Sequence, residues 1–460
     1  MNVARLNFSH GDHNQHKQAI DWIRKASQSL KKNVGIMGDL QGPKIRIGKV
    51  VTELCLHKSK NYFFTSSSNY KNIAANGSKE APFYVNYKSL LDDVKLGELI
   101  LLDDGKVKFE IITRDASSQL MEGKLIYGDE LSSNKGLNLP ATVLKIPGIT
   151  EKDWSDILFG IENELDFFAL SFVRTHQEIK NLKKLLQERN SPIQVIAKIE
   201  KPEAIKNIQQ ILKESDGIMI ARGDLGVEMG NEKVPRYQKM LIRKARERGK
   251  TVVTATQMLM SMTHSPSPSR AEASDVANAV YDGSDALMLS NETATGNYPV
   301  ESLLTMDRII RFAEEPDPAN RRRRNWMNLV LEQDKVMVSE AIESAAVILG
   351  TALSAKALSC LTRSGQSARY LSKGRPNMPI FAFAENPRVR QQLSLVWGVT
   401  VFPWQEIRDQ SYSIFDDLVS ELGRLKLLQY NDCVILTAGI PTTQKKGSTN
   451  TVVVKHYEES

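Results

Sequence analysis

The segment IAKIEKP, residues 196–202, carries a lysine and a glutamate two positions apart in an otherwise apolar run. The run is short, β-branched and ended by Pro202, so it predicts a buried strand. Side chains alternate across a strand, and Lys198 and Glu200 therefore share one face. Desolvating a cation and an anion together can cost more than their attraction returns. Such a pair indicates either a structural ion pair or a site that another charged group completes.

A second acid, Asp224, ends the next predicted strand, GIMIARGD. Carboxylate oxygens from adjacent strand ends are ligands that a hard cation such as Mg²⁺ prefers, with waters and substrate oxygens at its other positions. A lysine beside that cation can hold an anion that the metal also binds. Phosphoryl transfer needs this combination, because its catalysis is mostly positioning and charge neutralisation. Lys198, Glu200 and Asp224 therefore predict a metal-dependent phosphoryl-transfer site.

Short apolar strands that alternate with helical patterns predict a parallel sheet. Seven such strands precede residue 300, namely 2–8, 33–40, 166–173, 193–200, 217–224, 251–258 and 285–292. Polar residues stand at their carboxyl ends, where a (β/α)8 barrel keeps its active site: Asp39, Ser171, Glu200, Asp224, Thr256, Ser290 and Glu292. A barrel of this kind needs eight strands, and seven would leave two exposed sheet edges. We therefore expect the first strand to be missing ahead of Met1.

The spacing of the strands divides the chain into domains. The gap between the strands at 33–40 and 166–173 leaves about 100 residues beyond one helical crossover, and period-2 alternation within it predicts an inserted β domain over the barrel mouth. We predict a barrel domain in two parts (1–44 and 145–318), an inserted lid at 45–144, a linker at 319–334 and an open α/β domain at 335–460. The last domain has a predicted helix at 339–353 and strands at 357–361, 379–384, 399–403, 433–437 and 451–455.

Composition narrows the class of protein. The 460 residues carry 61 basic and 54 acidic side chains, a net charge of +7 that suits anionic substrates but also an ordinary soluble protein. Cys55, Cys360 and Cys433 lie far apart and indicate neither a disulfide framework nor a zinc site, which favours a reducing cytoplasm. We find no apolar run of about 18 residues and no signal peptide. The basic run at 321–324 is interpreted as a solvated segment rather than a nucleic-acid site.

The motifs, in their order along the chain, resemble those of pyruvate kinases. They are NVARLNFSHG (2–11), DLQGPKIRIG (39–48), LDDGKV (102–107), NKGLNLP (134–140), LSFVR (170–174), AKIE (197–200), DGIMIARGDLGVE (216–228), TATQML (254–259), SRAEASDVANAVYDGSDALMLSNETA (269–294), TRSGQSAR (362–369) and GSTNT (447–451). This resemblance implies a glycolytic enzyme that transfers the phosphoryl group of phosphoenolpyruvate to ADP, giving pyruvate and ATP. It also implies that the inserted domain is a lid and the last domain a regulatory domain.

The resemblance assigns roles to single residues. It implies that Arg5 holds the phosphate of phosphoenolpyruvate and that Lys198 neutralises the transferring phosphoryl group. Glu200 and Asp224 would bind Mg²⁺ or Mn²⁺, and the N–H groups at 221–223, including Gly223, would receive the substrate carboxylate. The positions that match the family's nucleotide contacts, or lie close to them, are Asn7, His10, Arg46 and Lys135, and Asp104 on the lid would meet the phosphates on closure. We interpret His10, His13 and His16 as loop and helix-surface residues rather than as zinc ligands.

Thr256 matches the residue that the family places where enolpyruvate is protonated. Because a threonine hydroxyl is too weak an acid to act alone at neutral pH, we expect it to order a water or proton chain, through Ser290 and Glu292.

The segment DLQGPKIRI departs from the family's commoner DTKGPEIRT. Members with that commoner segment need a monovalent cation, held by residues that match Asn7, Ser9, Asp39 and Leu40, and carry a glutamate where this chain has Lys44. The tethered ammonium of Lys44 could supply the charge of that ion, so K⁺ would not be required. Asn291 replaces the family's usual glycine, and nothing in the sequence explains its effect.

The loop TRSGQSAR precedes a predicted helix and could present N–H groups to a phosphate, or be an ordinary turn. The resemblance implies an effector-phosphate site at Thr362, Ser364, Gly365, Gln366 and Ser367, and a homotetramer. The effector's identity stays open. A metal-dependent aldolase or lyase and a non-catalytic sensor are alternative functions, and ATP formation would distinguish them from a kinase.

Overall fold

The computed structural model describes residues 1–50, 54–68, 82–142, 144–315, 336–404, 413–440 and 449–458. The predicted linker at 319–334, with its basic run, lies outside these residues, as do the first two residues of GSTNT (447–448). Three sheets of five or more strands organise the described part of the chain.

The first sheet has seven parallel strands, each paired with the next along the chain. They are Val3–Asn7, Gly35–Asp39, Phe167–Leu170, Gln194–Ile199, Gly217–Ala221, Thr251–Ala255 and Ala286–Leu287. Their residues are mostly buried, because helices cover the sheet. We call this sheet the barrel sheet.

Four of these strands end three or more residues earlier than their apolar patterns predict, and the one predicted at 166–173 ends at Leu170. A helix begins at Arg222, directly after the strand that ends at Ala221. After Ala255 the backbone turns sharply, with φ of 72° at Thr256 and 53° at Gln257. The last strand ends at Leu287 rather than near 292. Polar residues assigned to strand ends therefore lie on the turns that follow.

Helices of the barrel region alternate with its strands. Capping boxes at Asp12, Thr150 and Ser269 satisfy backbone N–H groups at three helix starts. Apolar side chains such as Ile36, Phe168 and Val252 fill the space between helices and sheet. The helices are His13–Ser29, Glu151–Glu162, His176–Glu188, Pro202–Lys206, Ile208–Glu214, Arg222–Met229, Val234–Glu247, Arg270–Asp282, Asn291–Ala294 and Pro299–Glu314.

The inserted domain contains a six-stranded, mostly antiparallel sheet around a core with Phe64, Phe83 and Phe109. In spatial order its strands are Leu137–Asn138, Leu99–Leu102, Val107–Asp115, Leu120–Tyr127, Asn61–Thr65 and Phe83–Tyr84. A second ribbon pairs Leu54–Cys55 with Glu130–Leu131, and a short helix spans Leu90–Asp93.

The C-terminal domain has a five-stranded sheet in which four strands are parallel and the last is antiparallel. In spatial order the strands are Val399–Pro403, Ile380–Ala384, Ala357–Leu361, Cys433–Ala438 and Thr451–His456. The helices are Val338–Ala352, Gln366–Lys373, Pro387–Leu393 and Ile414–Arg424. The bounds that we predict for the domains stay predictions.

Direct contacts join the inserted domain to the barrel. Asn138 Nδ2 donates to Glu228 Oε1 at 2.8 Å, and the buried Lys201 lies 2.6 Å from the same oxygen. A Cβ placed on Gly105 would lie 3.8 Å from Val227. The inserted domain therefore rests on the helix Arg222–Met229. Among the described residues, no helix has the length and apolarity needed to cross a membrane.

Candidate active site

The carboxyl ends of four neighbouring strands bring charged side chains together at the barrel mouth. Arg5 and Asp39 lie on the first two strands, and Lys198 and Glu200 lie at the end of Gln194–Ile199. Lys198 Nζ is 3.1 Å from Asp39 Oδ1 and 3.0 Å from Glu200 Oε1, and it donates to Ser171 Oγ at 2.7 Å. Arg5 Nε donates to Asp39 Oδ2 at 2.6 Å. Lys198 and Glu200 therefore form a buried ion pair within a larger charge cluster.

These contacts fix the charge of two members of the cluster. Burial alone would lower the pKa of Lys198, but the carboxylates of Asp39, Glu200 and Asp224 raise it above its usual value. Burial alone would raise the pKa of Asp39, but Lys198 and Arg5 hold it below its usual value. Lys198 is therefore a cation and Asp39 an anion at neutral pH. The sequence assigns Asp39 to a monovalent-cation site and does not reveal its contacts with Arg5 and Lys198.

Glu200 is fully buried, and one of its oxygens is incompletely satisfied. Oε2 accepts the N–H of Phe172 at 2.6 Å. Oε1 has Lys198 3.0 Å away, but no described donor makes a hydrogen bond of normal geometry to it. Burial, followed by the nearby Asp224 charge, raises the pKa of Glu200, while Lys198 opposes that shift. A buried oxygen in this state is suited to a cation.

Asp224 supplies the second carboxylate, from the first turn of the helix Arg222–Met229. It is partly exposed and close enough to Glu200 and Lys198 to shift the pKa of both. Among the described residues, no three His, Cys, Asp or Glu side chains are grouped to hold a metal by themselves. Two carboxylates that leave other positions to water and substrate oxygens fit a hard divalent cation such as Mg²⁺.

The Arg222 side chain, which the sequence analysis did not use, holds the turn after Thr251–Ala255 in place. Its guanidinium donates to Thr256 O at 2.7 Å and to Ala255 O at 3.3 Å, and it pairs with Asp275 at 2.7 Å. Arg222 lies within the motif DGIMIARGDLGVE, and Asp275 lies within SRAEASDVANAVYDGSDALMLSNETA. Their contacts join segments that are distant in sequence, so no local sequence pattern predicts them.

Thr256 is a β-branched residue at positive φ, a conformation that costs free energy. Its Oγ1 accepts the N–H of Gly223 at 2.8 Å and donates to Ala255 O at 2.6 Å. The hydroxyl therefore contacts one of the N–H groups predicted to bind the substrate carboxylate.

The carboxylate of Glu292 links two neighbouring loops by accepting a backbone hydrogen bond from each. One of its oxygens accepts the N–H of Ser290 at 2.7 Å, and the other accepts the N–H of Leu259 at 3.2 Å. No hydrogen bond joins Thr256 to Ser290 or Glu292 in the described part of the chain, so a proton chain through them would need intervening water.

Comparison with known proteins places this site in a family. The family model "Pyruvate kinase, barrel domain" matches residues 1–303, and "Pyruvate kinase, alpha/beta domain" matches residues 340–455. A pyruvate kinase of Sporosarcina psychrophila is 42% identical over 460 residues, covering 98% of this chain and 75% of that protein. A pyruvate kinase of Staphylococcus epidermidis is 40% identical over 454 residues, with the same two coverages.

The chain belongs to the pyruvate kinase family. This finding confirms the predicted family, its barrel and α/β fold class, and a phosphotransferase that acts on phosphoenolpyruvate and ADP. The pyruvate kinase family also implies a divalent metal, in agreement with the donor set at Glu200 and Asp224.

The residues matched to pyruvate kinase nucleotide contacts lie on both sides of the mouth. On the inserted domain, Arg46 donates to Asn134 O at 3.0 Å, and Lys135 pairs with Asp103 at 2.9 Å. On the barrel, Asn7 Oδ1 accepts the N–H of Ser9 at 3.2 Å. His10 lies on the same loop, and its carbonyl oxygen contacts the ring of His16. His10 is therefore a loop residue, and His16 is on the helix His13–Ser29.

Asp104 lies on the turn of the inserted domain that contacts the barrel. It has a φ of 55° and precedes Gly105, which faces Val227 on the helix that carries Asp224. The turn therefore lies beside the helix that carries Asp224, one of the predicted metal ligands.

Lys44 lines a cleft between the inserted domain and the barrel mouth, together with Lys201 and Asp224. Lys201 lies in the segment IAKIEKP, but its place in this cleft was not predicted from the sequence. Lys44 makes no ion pair within 4 Å among the described residues, and its side chain passes close to Gly136. Two of the four matched monovalent-cation positions have other partners, because Asp39 pairs with two cations and Leu40 O accepts the Ser171 hydroxyl at 2.6 Å.

The predicted effector loop forms the entry to the helix Gln366–Lys373. Gly365 has a φ of 81°, and its N–H donates to Thr362 Oγ1 at 2.9 Å. Ser364 precedes it, Gln366 donates to Tyr370, and Ser367 Oγ is 2.8 Å from Thr449 Oγ1. Hydroxyls and N–H groups are thereby gathered at one end of the C-terminal sheet.

Proposed function

We propose that this chain makes pyruvate and ATP from phosphoenolpyruvate and ADP at the cluster of Lys198, Glu200 and Asp224. The observation that carries the proposal is the buried Glu200 Oε1, which has the Lys198 ammonium 3.0 Å away but receives no hydrogen bond of normal geometry from a described residue. Mg²⁺ or Mn²⁺ held by Glu200 and Asp224 would supply Lewis-acid charge neutralisation at the phosphoryl oxygens.

The chain's own residues would position the substrate. Lys198 and Arg5 face the same space, and Asp39 holds both cations in orientation while its charge prevents them from repelling each other. Lys198 would stabilise the transferring phosphoryl group and Arg5 the substrate phosphate. The N–H groups at the start of the helix Arg222–Met229, with Gly223 among them, would receive the carboxylate.

The nucleotide would bind between the barrel and the inserted domain. Arg46 and Lys135 on one side, and Asn7 and His10 on the other, would contact ADP. Asp104 would approach the phosphates as the inserted domain closes and excludes water.

A coupled assay tests this function. We expect ATP to appear in step with pyruvate when the purified chain is mixed with Mg²⁺, ADP and phosphoenolpyruvate, and to disappear when metal is removed by chelation. Absence of ATP at saturating substrates would favour the non-catalytic sensor.

Replacing Thr256 by valine should slow enolpyruvate protonation by about 10²-fold while slowing phosphoryl transfer much less. Valine keeps the β-branched shape but loses the oxygen that contacts Gly223 N–H. Protonation can be followed by solvent-hydrogen incorporation into pyruvate and transfer by single-turnover ATP formation. Thr263→Val, the same change at a buried threonine on a neighbouring segment, is the control. Equal losses in both steps would remove this role for Thr256.

Activity at fixed ionic strength should be nearly the same in K⁺ and in tetramethylammonium. The Lys44 side chain lines the cleft and makes no ion pair with a described residue, and Asp39 is already paired with Lys198; both observations support K⁺ independence. Lys44→Glu should create a dependence on K⁺, whereas Lys49→Glu, nearby in sequence, should not. Strong K⁺ activation of the unmodified chain would overturn the proposal.

We further propose a homotetramer, a phosphorylated effector bound at Thr362–Ser367 and a cytoplasmic location. The three cysteines are unpaired by disulfides in the structure, as a reducing compartment would favour.

A further inference from the structure

A fully buried carboxyl group, Glu343, lies in the C-terminal domain and has no part in phosphoryl transfer. It is on the helix Val338–Ala352, which packs against the sheet and against the helix Gln366–Lys373. The hydroxyls of Thr437, Ser367 and Thr449 surround the carboxyl. Neither carboxyl oxygen, however, has a hydrogen bond of normal geometry from a described residue. This buried acid is therefore incompletely satisfied.

The carboxyl lies directly behind the proposed effector loop. Ser367 is in the first turn of the helix that the loop begins, and its hydroxyl is 2.8 Å from that of Thr449. Either hydroxyl can donate in this contact. The Ser367 hydroxyl, which belongs to the loop, and the Thr449 hydroxyl are thus both close to Glu343 and can pass the effect of its protonation to whatever the loop binds.

Two charged groups on the elements packed around Glu343 form ion pairs with other residues. Lys373 pairs with Glu340 at 2.6 Å, one helical turn from Glu343, and Lys455 pairs with Asp416 at 2.7 Å. The remaining groups on these elements, which form no ion pair with Glu343 in the described chain, are Arg369, Tyr370, Cys360, Cys433 and His456. Burial, and then the nearby Glu343, raises the pKa of the Cys360 thiol, so it stays neutral.

Since no described residue places a cation beside it, Glu343 favours its neutral form. Burial raises the pKa of Glu343 to about 8, although the surrounding hydroxyls oppose the shift. At pH 7 the group is mainly a protonated acid.

We propose that Glu343 is a positioning residue that makes anion binding at the loop Thr362–Ser367 depend on a proton. This inference rests on the effector-phosphate site proposed above. When Glu343 is ionised, its oxygens attract the hydroxyl hydrogens of Ser367 and Thr449 inward. When it is protonated, those hydroxyls are free to donate to an anion in the loop. The ionised form also repels an anion bound at the loop, because the charge of a buried carboxylate is weakly screened.

The linkage between proton binding at Glu343 and anion binding at the loop determines how strongly the anion affinity depends on pH. Anion binding should draw a proton from solvent onto Glu343, with almost none taken up well below pH 8 and nearly one per chain well above it. The affinity for the anion should accordingly fall by about tenfold for each pH unit above 8.

Sulfate is a suitable anion for the test because it does not titrate in this range. We would measure its affinity from about pH 6.5 to 9.5 at constant ionic strength, together with proton uptake in a pH-stat. Ser367→Ala identifies the part of the binding that belongs to the loop. Glu343→Gln, a neutral isostere, should bind sulfate at all these pH values and take up no proton, whereas Glu421→Gln should behave like the unmodified chain.

The outcomes separate the two proposals. If Ser367→Ala leaves sulfate binding unchanged at pH 6.5, the loop is not an anion site, and both proposals fail. If sulfate binds at the loop but its affinity is independent of pH and no proton is taken up, the role of Glu343 fails and the effector site stands. The unmodified chain alone can decide this second point, so the test does not depend on the stability of a variant.

Discussion

Replacing Lys198 by methionine should lower kcat by about 10³-fold or more, the scale on which phosphoryl-transfer enzymes depend on a positioned cation. Methionine preserves length and packing, but removes the one ammonium that contacts both Asp39 and Glu200. The measurement is steady-state ATP formation at saturating Mg²⁺ and substrates, with a thermal melt to verify folding.

Lys183→Met is the matched control for this change. Lys183 also forms an ion pair, with Asp216 at 2.8 Å, but it is on the outer helix His176–Glu188. The Lys183→Met variant should retain nearly full activity. If Lys198→Met turned over at a rate similar to that of the control, Lys198 could not be the residue that stabilises the transferring group.

Replacing Glu200 by glutamine should lower kcat by about 10²-fold or more and raise the Mg²⁺ concentration required for half-maximal rate by at least about tenfold. The glutamine oxygen can still accept the Phe172 N–H, so the local backbone contact survives. The loss is confined to the charge and the second oxygen, Oε1, which lies 3.0 Å from Lys198 and receives no hydrogen bond of normal geometry from a described residue.

Glu203→Gln, three residues further along, is the control for the same chemical change. An unchanged Mg²⁺ dependence in Glu200→Gln would show that this carboxylate is structural. Such a result would favour the ion-pair interpretation of the segment 196–202.

The sequence predicted the parts of the site that depend on local periodicity. Alternation along one strand places Lys198 and Glu200 on one face, and the structure joins them at 3.0 Å. Strand ends in a parallel sheet meet at one edge, which is why Asp39 could be expected near them, whereas Arg5 was predicted from the family resemblance alone. The motifs added family membership, which the comparisons confirmed.

Other features depend on contacts between distant segments and could not be predicted. The pairing of Asp39 with both Arg5 and Lys198 arises from the order of three strands. The contact of Arg222 with Asp275 joins two separate helices, and the strained turn at Thr256 shortens a strand that the apolar pattern extends to residue 258. Periodicity also gave no reason to notice Glu343, whose burial depends on helix packing.

Binding of Mn²⁺, followed by electron paramagnetic resonance, tests the central claim most directly. The claim is that Glu200 and Asp224 hold one divalent cation beside Lys198. The account predicts one tight Mn²⁺ site per chain in the presence of phosphoenolpyruvate, lost in both Glu200→Gln and Asp224→Asn and kept in Glu203→Gln. Mn²⁺ binding of unmodified affinity in Glu200→Gln and Asp224→Asn would contradict it.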